Sequence, residues 1–200
     1  MQLSDNFGDR LAAAVQRCGT ATLVGLDPRL EQLPAPLAPQ SASCQDVAEA
    51  FYVFCKEIID VVAPLVPAVK PQAAFFEQYG APGMHALARV IDYARANGLL
   101  VILDGKRNDI GSTATAYAEG WLGRPGESAW GADALTVSPY LGDDSLTPFV
   151  TIACERGAGL FVLVKTSNPG GRMLQDLTVE GKSIYQRVGE HVEQLSLAHV

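Results

Sequence analysis

Five short apolar runs, each followed by a segment of helical period, constrain this chain more than any other feature it has. They cover residues 21–26, 68–70, 99–103, 134–137 and 159–164. The run at 99–103, Leu-Leu-Val-Ile-Leu, is apolar without a break, which suits a parallel strand buried on both faces. The spacing predicts helices over 46–63, 82–96, 112–122, 144–156 and 183–194. In the first of them Val47, Phe51, Cys55, Ile58, Ile59 and Val62 fall on one face. Asp46 can cap that helix, and Pro64 and Pro67 end it. In the second, Leu87, Val90, Ile91 and Ala94 face inward, and Asn97-Gly98 is a stop signal. Ser112 can cap the third, and Asp144 or Ser145 opens the fourth. Residues 31–45, with Pro34, Pro36 and Pro39, read as a loop.

Strands and helices in strict alternation make a parallel sheet with right-handed crossovers, either an open doubly wound sheet or a closed barrel. No G-x-G-x-x-G follows any of the runs, so the dinucleotide-binding form of the open sheet has no support. A (β/α)8 barrel takes about 250 residues, and about five β-α units are found in these 200. The expectation is therefore one α/β domain over 1–200, an incomplete (β/α)8 TIM barrel with the last strands outside the sequence. Such a chain would show an open sheet edge after its fifth strand.

Composition removes several function classes. Fifteen Lys and Arg against 22 Asp and Glu give a net charge of −7, so bulk charge cannot hold a nucleic acid. No apolar run is long enough to span a membrane, and the polar, acidic start MQLSDNFGDR is wrong for a signal peptide. Cys18, Cys44, Cys55 and Cys154 form no C-x-x-C pair and no zinc spacing with the three histidines. They read as reduced packing cysteines of a cytoplasmic protein, with no metal site.

Ligands of parallel α/β folds bind at the carboxyl ends of the strands, and polar residues recur there. Asp27 follows the first run and Lys70 the second. Asp104-Gly105-Lys106-Arg107-Asn108-Asp109 follows the third, Ser138-Pro139-Tyr140 the fourth, and 165–171, Lys-Thr-Ser-Asn-Pro-Gly-Gly, the fifth. In an extended chain Asp104 and Lys106 point to the same side. With Asp109 just past the strand and Lys70 on its neighbour, two cations and two anions balance, which lets a water-poor pocket hold them. Aspartates beside Lys106 favour its protonated form, that of a general acid and not of a Schiff-base nucleophile. Spacing alone leaves two readings open: a salt bridge that caps a strand, or a catalytic charge array. Thr113 could offer a hydroxyl to a polar substrate, and Ser167-Asn168-Pro169 is turn-like. His85, His191 and His199 lie in or near helices away from the strand ends, and Lys165 and Arg107 read as surface charges.

The stretch LDGKRNDIGSTA (103–114) resembles the D-x-K-x-x-D signature of the orotidine 5′-phosphate decarboxylase family. VGLDPRL (24–30), VKPQAAFFEQYG (69–80) and LVKTSNPGG (163–171) resemble the longer bacterial (type 2) members in the same order. The resemblance implies a barrel lyase that converts orotidine 5′-phosphate to UMP and carbon dioxide in pyrimidine biosynthesis, without metal or organic cofactor. It implies that Lys106 donates the proton to C6, with Lys70, Asp104 and Asp109 completing a charged tetrad. It further implies that Asp27 binds the ribose, that Ser167 reads the pyrimidine amide, and that Asp109 and Thr113 reach across a homodimer with shared active sites. The family's phosphate grip, a Gly-rich loop and an Arg near the last strands, has no counterpart in these 200 residues. Two alternatives stand beside this reading. One is a Mg-dependent sugar-phosphate decarboxylase or aldolase of the same barrel group, which shares D-x-K-x-x-D. The other is an inactive fragment lacking the phosphate site.

Overall fold

The computed structural model describes residues 6–124 and 126–199. A helix that the apolar runs do not announce comes first: α1, Phe7–Cys18, capped by the Asn6 side chain and ended by Gly19 in the left-handed region. The strands and helices follow as β1 (Val24–Leu26), α2 (Cys44–Val62), β2 (Ala68–Pro71), α3 (Ala73–Glu77), α4 (Gly80–Ala96), β3 (Leu100–Arg107), α5 (Gly111–Trp121), β4 (Ala134–Val137), α6 (Asp143–Arg156) and β5 (Gly159–Val162). A short α7 (Arg172–Gln175), the two-residue strands β6 (Thr178–Val179) and β7 (Lys182–Ser183), and α8 (Ile184–Ala198) complete the chain.

All five expected strands exist, with shifted ends. Residues 21–23 are exposed and unpaired, so β1 is half as long as its apolar run. The third run continues through its polar residues to Arg107. The caps also differ. Ser43, not Asp46, accepts the N-terminal N–H of α2, from Asp46 itself at 3.1 Å. Ile110 precedes α5 without a side-chain cap, so Ser112 lies inside the helix. Gly142 opens α6, and Ser145 donates back to its carbonyl at 2.6 Å. Ser183 opens α8 with a full capping box to Gln186.

The sheet order is β1-β2-β3-β4-β5, every pair parallel. An open doubly wound sheet reverses its strand order at a switch point. Here the order never reverses, which is the winding of a β/α barrel. Among the described residues no strand pairs with the outer edge of β1 or β5. None of the described helices is long and apolar enough to cross a membrane.

Alternation along the strands separates two apolar regions. Leu26, Val69, Val101, Leu103, Leu135 and Val137 face the helices and pack with Phe51, Ile59, Leu87, Ile91, Leu146 and Phe149. Residues of the opposite parity, Ala68, Ile102 and Ala134, with Leu100 beside them, face the barrel interior and pack against Phe7 of α1. A Cβ at Gly159 would lie 2.2 Å from the Phe7 ring, so the plug needs glycine there. The next interior positions upward on β2, β3 and β4 are Lys70, Asp104 and Thr136, so parity alone carries them to the mouth above an apolar floor.

The floor is tied to α1 by Asp133, which is 3% exposed. Its carboxylate takes Arg10 at 2.5 Å, Arg95 at 3.3 Å and the Val101 N–H at 2.9 Å. Truncating one member of a buried ion pair strands the others. Asp133→Ala should therefore lower the unfolding free energy in urea by about 3 kcal/mol. Asp133→Asn, which keeps an acceptor for Val101, should cost distinctly less.

Candidate active site

At the carboxyl ends of β2, β3 and β4 one carboxylate collects three donors. Asp104 Oδ2 accepts from Lys70 Nζ at 2.7 Å. Its Oδ1 accepts from Lys106 Nζ at 2.6 Å and from the Thr136 hydroxyl at 3.0 Å. Asp104 is 7% exposed. Burial alone would raise its pKa and is the largest influence on it. The hydrogen bonds from Lys106, Lys70 and Thr136, with the Lys70 charge, outweigh burial and hold the carboxyl below its ordinary range. The side chain of Lys106 remains about half exposed. The site is thus an ammonium pinned by a buried anion and still open to the mouth of the barrel.

Asp104 and Lys106 do meet, although not across an extended strand. The β3–β4 register shifts between Leu103 and Arg107, and Lys106 sits at φ 45° in the left-handed region. Asp109 lies elsewhere. Its carboxylate accepts from the Ile110 N–H at 2.8 Å, and no ion pair joins it to Lys106 or Lys70. Thr113 is exposed in the first turn of α5. Both lie where β3 gives way to α5, and among the described residues no hydrogen bond or ion pair ties either to the Lys106 of its own chain. Asp27 is exposed just past β1, on the interior parity of Gly25, which pairs with Lys70. Ser167 is exposed in the segment after β5. Among the described residues no group of three or more His, Cys, Asp or Glu side chains converges.

Residues not assigned to the site from sequence hold this arrangement. Thr136 is one: a buried hydroxyl on a strand interior. Arg107 is another and is no surface charge. It is partly buried, pairs with Glu77 of α3, and lies 5.6 Å and 5.4 Å from the Tyr117 and Trp121 ring centroids. Burial pushes its guanidinium below the ordinary value, with Tyr117 opposing. It fastens the segment after Lys70 to the one after Lys106. A third is Gln175 of α7, which accepts from the Thr166 N–H at 3.0 Å and donates to its hydroxyl at 2.8 Å, clamping the segment that carries Ser167. Lys165 does lie at the surface, paired with Asp176. His191 of α8 pairs with Asp143, the first residue of α6. Of the cysteines only Cys55 is a buried packing residue. Its thiol is pushed up to about 12 by burial and by the Asp27 charge. Cys44 and Cys154 are exposed, and all four are free.

Fold and site together define a β/α-barrel protein whose polar chemistry is gathered at the carboxyl ends of its strands. The family described as orotidine 5′-phosphate decarboxylase / HUMPS matches residues 24–199. An orotidine 5′-phosphate decarboxylase of Rhodopirellula baltica is 62% identical over 194 residues, covering 95% of this chain and 64% of that protein. One of Deinococcus radiodurans is 44% identical, covering 88% of this chain and 57% of the relative. The structure of Leishmania donovani OMP decarboxylase superposes with a TM-score of 0.75 at 38% identity, covering 94% of this chain and 65% of that one. The chain belongs to the orotidine 5′-phosphate decarboxylase / HUMPS family. It spans somewhat less than two thirds of the length of these relatives.

The lowered pKa of Asp104 has a definite consequence for stability. A carboxyl whose folded pKa lies below its unfolded value, about 4, stabilises the fold above that value and loses the contribution as pH falls through the folded pKa. The difference in unfolding free energy between wild type and Asp104→Asn should be largest near about pH 6 and shrink on acidification below about pH 4. Urea unfolding of both proteins across that range reads it. A difference that does not change with pH would contradict the linkage.

Proposed function

We propose that this chain carries the charge-bearing half of an orotidine 5′-phosphate decarboxylase site, which converts orotidine 5′-phosphate to UMP and carbon dioxide. One observation carries the reading: Lys106 and Lys70 held on the two oxygens of a buried Asp104 at the mouth of the barrel. When the bond from C6 to the carboxylate breaks, its electron pair stays on C6 and carbon dioxide departs. That pair has no conjugated sink, so a fixed cation beside it must supply the stabilisation. Lys106 is that cation in this proposal. Its ammonium then gives C6 a proton, becomes a neutral amine and regains a proton from solvent. Because Asp104 is already in place, no reorganisation is needed as charge develops.

In the same reading Asp27 binds the ribose and Ser167 the pyrimidine amide. Asp109 and Thr113 serve the site of a second copy of the chain. Their position on the rim, apart from the Lys106 of their own chain, supports that arrangement. A homodimer with two shared sites, acting in the cytoplasm without metal or organic cofactor, is part of the proposal. The phosphate-binding loop and arginine that the family uses have no counterpart in residues 1–200. Activity is to be measured on the polypeptide expressed from its complete reading frame.

Lys106→Ala should reduce decarboxylation by more than about 100-fold, the least that a placed proton donor contributes, while UMP still binds in calorimetry. Turnover within about tenfold of wild type would sink the assignment. Mixing Lys106→Ala with Asp109→Ala protein tests the shared site. After subunit exchange about half the dimers are mixed, and each mixed dimer holds one intact site and one doubly substituted site. About a quarter of all sites should regain full activity. If Asp109 serves its own chain, every site keeps a defect and mixing restores nothing.

A further inference from the structure

The pairing of β3 with β4 breaks where the site begins. Ile102 pairs with Ala134 and Leu103 with Leu135, and the next pair is Arg107 with Val137. Three residues, Asp104, Gly105 and Lys106, therefore stand opposite Thr136 alone. A bulge of this kind leaves backbone donors without ladder partners. The Lys106 N–H finds one in the Thr136 hydroxyl oxygen at 2.9 Å. Having accepted there, the hydroxyl turns its single proton to Asp104 Oδ1 at 3.0 Å. That is the same oxygen that receives Lys106 Nζ at 2.6 Å. A closed ring results, running from the Lys106 backbone through Thr136 and Asp104 to the Lys106 ammonium.

We propose that Thr136 is a positioning residue of the reaction: its hydroxyl holds Lys106 in the left-handed conformation and fixes the Asp104 oxygen on which the Lys106 ammonium rests. Lysine at φ 45° pays a steric cost that an extended conformation avoids, so the turn needs an anchor. Thr136 is 9% exposed and lies in the strand interior, where water does not replace it easily. Without the hydroxyl, the Lys106 N–H and one lone pair of Asp104 lose their partner, and the ammonium spreads over a wider range of positions. A misplaced proton donor weakens the chemical step more than substrate binding.

The rate arm rests on the decarboxylase reading, and a second measurement does not. Thr136→Val keeps the branched shape and removes the hydroxyl, Thr136→Ser restores it, and Thr136→Ala is the smaller alternative if Val does not fold. On the protein from the complete reading frame, kcat for orotidine 5′-phosphate should fall about 10- to 100-fold in the Val variant. KM should move by less than about threefold, and the Ser variant should stay within about threefold of wild type. Separately, carbon-13 NMR should show the Asp104 carboxyl titrating at higher pH in the Val variant than in wild type, with Lys70 of β2 and Lys106 of β3 facing it in both. A Val variant with wild-type kcat, or an unmoved Asp104 midpoint, overturns the proposal. If the wild-type protein does not decarboxylate orotidine 5′-phosphate, the decarboxylase reading falls by itself. The Asp104 midpoint then decides the anchoring role, a raised value supporting it and an unmoved one refuting it.

Discussion

Everything at the mouth of this barrel depends on one buried carboxylate that is fully engaged. Asp104 has little water around it, and an unpaired carboxylate there would be costly enough to neutralise itself. Two ammonium groups and a hydroxyl prevent that. The converse holds as well, because the anion between them lets the two lysines lie close together. A lone pair of cations at such spacing would repel, and the surface would splay. Pairing the buried anion with both cations is therefore the condition for a preorganised site.

That pairing is built on a backbone that delivers the residues in one layer. Alternation places Ala68, Ile102 and Ala134 inside the barrel, and the next residues of the same parity are Lys70, Asp104 and Thr136. The small floor residues make room for the Phe7 ring, which closes the interior from below. Asp133 and its arginines fasten that plug. The apolar floor lies beneath a buried Asp104, so the hydrogen bonds to that carboxylate act at a lower local dielectric than they would at a surface.

Around the charged layer, connections between segments distant in sequence set the positions of the side chains. Arg107 and Glu77 join the segment after β2 to the segment after β3, and two aromatic rings back the guanidinium. Gln175 clamps the segment after β5 through Thr166. Asp109 and Thr113 stand outside these connections.

The parallel order of strands, the positions of Lys70, Asp104 and Lys106 at strand ends, and the helix starting at Ser183 were legible in the sequence, because each rests on a local pattern: an apolar run, a period, a cap. Lys106 between two aspartates was legible as a charge cluster, but spacing could not say which aspartate it would meet. Only the tertiary structure decided that it is Asp104, reached through a bulge in β3 with Lys106 in the left-handed region, while Asp109 accepts from the Ile110 N–H. Thr136 and Arg107 were invisible for the same reason. A threonine in an apolar strand and an arginine in a polar loop look ordinary until strand register sets one against a carboxylate and tertiary packing sets the other among aromatic rings. Local patterns reach as far as one element. Hydrogen-bond partners 30 or 32 residues apart are chosen by how elements pack, and that choice is made by the whole chain at once.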